Sequence, residues 1–150
     1  MNKIVYRLAT VSDAPELHKL NELFNDEGCN TISDIEDTLK NNSQEIVCVA
    51  AEGDTLVGFC CGQFQKSICY PQKTAEITEL YVMEERRRLG IGKQLVKLLE
   101  GEFVRQGVSG VRVLTGEDNE EAQALYRSFG YELDPDEVMM DKYLKAVDAG

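Results

Sequence analysis

The chain has 150 residues, 43% of them hydrophobic and 29% charged, with a formal net charge of −11. That length suits one domain with its own core, expected over residues 1–150, and no apolar run approaches the roughly 20 residues that cross a bilayer. The acid surplus excludes a nucleic-acid binder, which needs Lys and Arg against phosphates, and favours a cationic substrate instead.

The opening, MNKIVYRLATVSDAPEL, turns acidic too soon for a signal peptide, so the chain reads as cytoplasmic. Residues 3–9 alternate like a short strand. Ser12 or Asp13, followed by Pro15 and Glu16, marks a helix start, and Leu17, Leu20 and Phe24 give that helix an apolar stripe. A second helix is signalled by Ser33 to Glu36, read as a capping box, with Ile35 and Leu39 on one side.

Residues 46–52 and 55–64 are rich in small and β-branched residues, and Gly53-Asp54 between them makes a tight hairpin turn. Residues 74–83 form a third strand. Ile91, Leu95, Leu98, Leu99 and Phe103 then recur at helical spacing, and Gly107 stops that helix. Residues 110–115 are another strand. Asp118 and Glu121 read as a capping box for a helix carrying Ala122, Leu125, Tyr126 and Phe129, closed by Gly130. Residues 138–144 (VMMDKYL) are expected to make a last strand. Such an order of elements implies a mixed α/β fold, mostly antiparallel, with a parallel crossover near the middle of its sheet.

Five cysteines (Cys29, Cys48, Cys60, Cys61, Cys69) form no C-x-x-C pair, and three lie in strand-like segments as buried, reduced thiols. His18 is the single histidine and has no identifiable nucleophile partner. No metal site is expected from this set.

Chemistry concentrates between the third strand and the long helix. Arg87, Gly90 and Gly92 stand at the helix start, where unpaired N–H groups and the positive end of the dipole meet. Glycines let the backbone approach a phosphate, while Arg87, Arg88 and Lys93 add cationic donors. This turn is an anion site. It is not a Walker loop, because no G-x-x-x-x-G-K-S/T is present, and Leu95 stands where a dinucleotide fingerprint needs its third glycine.

Residues 79–93, ELYVMEERRRLGIGK, resemble the acyl-CoA-binding motif of the GNAT family of N-acetyltransferases, whose signature is Arg/Gln-x-x-Gly-x-Gly/Ala. Residues 119–131, NEEAQALYRSFGY, resemble that family's next motif, with Asn119, Ala122, Tyr126, Gly130 and Tyr131 matching. Element order and motif spacing extend the likeness to nearly the whole chain. The resemblance implies a sheet splayed between its fourth and fifth strands, flanked by about four helices.

It further implies acetyl-CoA as the acyl donor, with the pantetheine arm along Leu80, Tyr81 and Val82. The pyrophosphate falls on Arg88, Leu89, Gly90, Ile91, Gly92 and Lys93, with Arg87, Asn119, Ala122 and Tyr126 completing the cofactor site. A primary amine attacks the thioester directly. Tyr126 is the implied acid for the leaving thiolate, and the backbone N–H near Val82 receives the oxyanion. Glu79 is taken as the base, with Glu76 as its rival. Strict alternation puts these two acids on opposite faces, whereas a bulge of the kind family members carry breaks that alternation.

The acceptor is expected to be a small cationic amine, aminoglycoside- or polyamine-like. A peptide or protein amine is the alternative, and a catalytically silent acyl-CoA-binding module is the non-enzymatic one. The family builds its acceptor site from segments such as 24–44 and 64–73, which here carry Phe24, Asn25, Asp26, Glu27, Phe64, Tyr70 and Pro71. Homodimers are common in the family. No nucleic acid or membrane partner is implied.

Overall fold

The computed structural model describes residues 3–145. Residues up to Gly116 form one compact unit and those from Glu117 onward a second. The first unit holds β1 (Ile4–Leu8), α1 (Ala14–Phe24), α2 (Ile32–Asn41), β2 (Glu45–Glu52), β3 (Thr55–Lys66), β4 (Lys73–Val82), α3 (Ile91–Arg105) and β5 (Val108–Val113).

The five strands lie in the sheet in chain order. The first four are antiparallel, and β5 runs parallel to β4 after the α3 crossover. Period-two alternation sorts the side chains onto two faces. Val49, Ala51, Phe59 and Cys61 meet Leu17 and Leu20 of α1 on one face, with Ile35 and Leu39 of α2 packed against them. On the other face, α3 presents Ile91, Leu95, Leu99 and Phe103, all buried. There β3 thins to glycine. A Cβ on Gly62 would lie 2.3 Å from the Phe103 ring, and one on Gly58 would lie 2.9 Å from the Tyr81 carbonyl oxygen. The glycines let α3 sit close.

Two local irregularities break the regularity of β4. Cys61 pairs with Glu79 while the next residue, Gly62, pairs with Ile77, so Thr78 is an extra residue in β4. Its hydroxyl donates to the Cys61 carbonyl at 3.2 Å. Secondly, β4 and β5 are paired only from Lys73 and Val108 to Ile77 and Val113. Beyond Ile77, β4 keeps β3 on one side and has lost β5 on the other, which is the splay between the fourth and fifth strands.

The helix starts differ from their sequence signals. Asp13 precedes α1 without capping it; its carboxylate accepts instead from the Thr10 N–H at 2.8 Å and from Arg7 at 2.7 and 2.9 Å. The α2 box is Thr31 with Asp34, two residues before the expected one, because the Thr31 hydroxyl accepts from the Asp34 N–H at 3.0 Å.

The second unit contains α4 (Glu120–Ser128). Asn119, rather than Asp118, caps it, its side-chain oxygen accepting from the Ala122 N–H at 3.0 Å. The helix closes at Gly130 (φ +92°), and the rings of Tyr126 and Tyr131 stand edge to face at 5.6 Å. The expected strand at 138–144 is absent: these residues have no ladder partner, and Val138, Met140 and Tyr143 are 87%, 88% and 91% exposed. Apolar alternation had nothing to pair with. Among the described residues no helix is long and apolar enough to cross a membrane.

Candidate active site

The turn from Met83 to α3 is built to leave amides free. A short 3-10 turn (Glu84–Arg86) lifts the chain off β4, Arg88 takes φ +66° and Gly90 takes φ +78°, and α3 begins at Ile91. Left-handed backbone at a bulky residue costs about 1 kcal/mol or more. A Cβ on Gly90 would meet nothing within 4 Å, so protein contacts do not demand that glycine; its φ does. The N–H groups of the first α3 turn are ones that no intrahelical carbonyl can satisfy.

The cations around this turn divide by role. Arg86 is tied to Glu52 at 2.9 Å. Arg87 donates through Nε to the Val82 carbonyl at 3.0 Å and lays its guanidinium 5.6 Å from the Tyr81 ring centre. Arg88 and Lys93 are exposed and form no ion pair among the described residues. Together with the first-turn amides of α3 they are groups of the kind that can face a polyanion. The unpaired edge at residues 78–82 leads away from this turn.

On the α1/α2 side of the same strand lies a cavity of about 190 Å³. Its walls are Leu17 and Asn21 of α1, Asn30, then Ile35, Thr38 and Leu39 of α2, with Glu45, Val47, Phe59, Cys61 and Glu79 from the sheet. Glu79 faces it because of the Thr78 bulge. Since Glu76 pairs with Gln63 and Glu79 with Cys61, and Gln63 and Cys61 share a face of β3, both acids lie on one side of β4. Strict alternation would separate them. Their surroundings still differ: Glu76 is held 4.0 Å from Arg112, while one Glu79 carboxylate oxygen, Oε2, is closed off from solvent with no hydrogen-bond partner.

Glu45, at the head of β2, is the residue that the sequence reading overlooked. Burial pushes its carboxyl above the ordinary value, and the charge of Glu79 adds to the rise. Glu45, Glu79 and the Cys61 sulfur bring their polar atoms within 4.8 Å of one another. The Cys61 thiol is raised well above its usual range, by burial first and by these two acids next. Without a metal the trio is therefore two carboxylates beside a protonated sulfur. A signal was present: Glu45 opens the alternating face that continues through Val47, Val49 and Ala51.

Other expected acceptor residues lie elsewhere. Asp26 and Glu27 are exposed and do not line the cavity, and Tyr70 is an exposed side chain. Phe24 instead packs on Tyr81 at 5.3 Å and on Phe59 at 6.1 Å, while Phe64 lies under Lys73. His18 contacts the Asn30 carbonyl at 3.2 Å and serves the α1 packing. In the second unit, Tyr126 is buried, and Asn119 and Ala122 are joined by the helix cap.

Residues 12–131 match the model of the acetyltransferase (GNAT) family. The chain belongs to this family. An uncharacterised N-acetyltransferase of Chlorobaculum tepidum is 32% identical over 109 residues; the match spans 73% of this chain and 66% of that relative's own length. Among solved structures, an aminoglycoside acetyltransferase from an uncultured soil metagenomic sample, in complex with sisomicin, superposes with a TM-score of 0.80 at 21% identity, covering 95% of this chain and 97% of that one. The ribosomal-protein-alanine N-acetyltransferase of Brucella melitensis biovar Abortus 2308 gives 0.76 at 17% identity, covering 94% and 100%. Those two likenesses establish the GNAT fold. They belong to enzymes with different acceptors, so the acceptor of this GNAT chain has to be argued from its own cavity.

Proposed function

We propose that the protein transfers an acetyl group from acetyl-CoA to a primary amine of a small cationic acceptor. The carrying observation is the placement of two features on one strand. The free edge of β4 past Ile77 continues into the anion turn, and the Glu79 side chain faces a separate acidic cavity. A donor and an acceptor can then reach β4 from different directions.

Acetyl-CoA supplies the activated thioester carbonyl. The backbone at Leu80, Tyr81 and Val82 aligns the pantetheine arm, and the amides from Arg88 to Lys93 hold the pyrophosphate, with Arg87, Arg88 and Lys93 as counter-charge. Glu79 removes a proton from the acceptor ammonium, so that the nitrogen lone pair attacks the carbonyl carbon. The N–H near Val82 faces the developing oxyanion. By its resemblance to the family's second motif, Tyr126 is the residue assigned to return a proton to the thiolate as the carbon–sulfur bond breaks. Asn119 and Ala122 support this arrangement by fixing the start of the helix that carries Tyr126.

The net charge of −11 and the carboxylates of the cavity favour a cationic acceptor over a neutral one. CoA release with sisomicin, spermidine and an alanine-initiated peptide, for wild type, Glu79→Gln and Tyr126→Phe, tests this reading. Turnover with a small polycation that falls about 10²-fold or more in either variant is the expected result. Acetyl-CoA binding without turnover on any amine would leave a silent acyl-CoA-binding module. Preference for the peptide would move the acceptor to protein amines, and failure to bind acetyl-CoA would overturn the proposal.

A further inference from the structure

Glu79 is not the only carboxylate in this cavity. Glu45 and Glu79 reach it from β2 and β4, the strands on either side of β3, Glu45 in register with Gln63 and Glu79 with Cys61, and their oxygens lie within 4.8 Å. Neither carboxylate has a hydrogen bond or ion pair among the described residues, and Glu79 Oε2 is shut away from water as well. Cys61 between them is 8% exposed and offers a neutral sulfur. The other groups facing the pair are Asn21 of α1, Thr38 of α2 and Asn30, all uncharged. Glu76 shares the face but is turned to Arg112. No Lys, Arg or His lines the cavity. Two acids of like charge are thus left with no cation to balance them, at the point where an ammonium would enter.

We propose that Glu45 is the second half of the base: the two carboxylates receive one amine proton between them. The inference rests on the acetyl-transfer reading above. In the step, the ammonium R–NH₃⁺ meets the doubly ionised pair, one N–H bond breaks with its electron pair left on nitrogen, and the proton becomes shared by Glu45 and Glu79. The pair falls from two negative charges to one, and the neutral amine attacks. A lone carboxylate is a weak base for an ammonium, whereas a second negative charge beside it raises the proton affinity of the pair. The same two charges hold the ammonium before the transfer, which favours a charged amine over a neutral one.

Two measurements test the pairing. Carboxyl ¹³C titration of Glu45 in the ligand-free protein, wild type against Glu79→Gln, needs no turnover. The Glu45 midpoint is expected to move acidward by roughly half a unit or more once its neighbour is neutral; an unmoved midpoint overturns the pair. Separately, kcat/KM against pH with spermidine as the common acceptor compares wild type with Glu45→Gln. An acid limb displaced to lower pH, with plateau kcat reduced about tenfold, is expected. A Glu45→Gln enzyme that differs only in KM or melting temperature, with the acid limb unchanged, reduces Glu45 to a structural role and overturns the inference. Wild type that shows the titration coupling but acetylates no amine sinks the acetyl-transfer reading and, with it, the pair's part in a reaction.

Discussion

The Thr78 hydroxyl donates to the Cys61 carbonyl at 3.2 Å, at the place where β4 carries one residue more than β3. Ile77 and Glu79 are in register with Gly62 and Cys61, so the surplus is confined to Thr78. A bulge of this kind bends its strand and increases the local twist, and here the bend coincides with the end of β4–β5 pairing. Deleting Thr78 preserves the register on both sides. The expected product is a folded protein in which β4 stays beside β5 for longer, closing the gap. Its melting temperature should change by only a few degrees, while acetyl-CoA binding measured by calorimetry weakens at least about tenfold, worth roughly 1.4 kcal/mol.

The anion turn offers a contrast between two neighbouring positions. Gly90 at φ +78° has open space around its Cα, so Gly90→Ala carries only the backbone penalty of about 1 kcal/mol. Arg88 already bears that penalty at φ +66°. Arg88→Gly should therefore gain up to about 1 kcal/mol of stability in denaturant melts while losing acetyl-CoA affinity. A variant that becomes more stable and binds less tightly would identify Arg88 as a side chain kept for its charge.

Gly62 and Phe103 form a steric pair. A methyl at Gly62 collides with the ring at 2.3 Å, and the ring belongs to a fully packed α3 face. Gly62→Ala should cost about 1–3 kcal/mol in chemical denaturation. Phe103→Leu, itself destabilising, should recover part of that loss in the double variant, giving a coupling energy above about 0.5 kcal/mol.

Asp13 gives the acid-side dependence of stability. Its carboxyl is held below the ordinary value, first by the hydrogen bonds from Arg7 and then by Thr10 and the Arg7 charge, against the opposing effect of burial. A group whose folded value is depressed binds fewer protons in the folded state. Its contribution is complete above the unfolded value near 4 and is lost as pH falls through the folded one. Asp13→Asn should therefore be less stable than wild type at pH 7, by about 1–2 kcal/mol, with the difference shrinking below pH 4. Melts at pH 7, 4 and 2.5 check the sign.

Glu45 runs the other way. Its folded value is raised, so in the range between the unfolded and folded values the folded state binds the extra proton, and ionisation above that range works against folding. Glu45→Gln should melt higher than wild type at pH 7–8, and the advantage should vanish in acid where Glu45 is protonated in both states. Stability sacrificed at a reactive position is a common signature of function.

Much of the fold could be read from local chemistry. The β2–β3 hairpin announced itself through Gly53, which takes φ +62° in the turn, and α3 through apolar residues at helical spacing. The tight turn before α3 was legible because glycine and Arg stand together just ahead of an apolar helical pattern. Less legible were features that depend on partners. Thr31 outcompeted Ser33 as a cap because it stands in extended backbone just before the helix, with Asp34 in reach to reciprocate. Thr78 looks like an ordinary strand residue, and only the β3 register exposes it as surplus. Glu45 and Glu79 are distant along the chain and meet only across β3, so composition around neither one signalled the other. Residues 138–144 alternate convincingly, yet a strand is a property of its neighbours.

The distribution of thiols bears on how turnover can be followed. Cys48, Cys60 and Cys61 are buried, and burial pushes Cys48 up to about 12 and raises the other two well above the ordinary thiol value, so none is a thiolate at assay pH. Cys29 and Cys69 are exposed. A chromogenic disulfide reagent added to the native protein should therefore count two sulfhydryls per chain quickly and three only after denaturant. Against that fixed baseline, the proposed acetyl transfer would add one further equivalent of colour for each CoA released in a continuous assay.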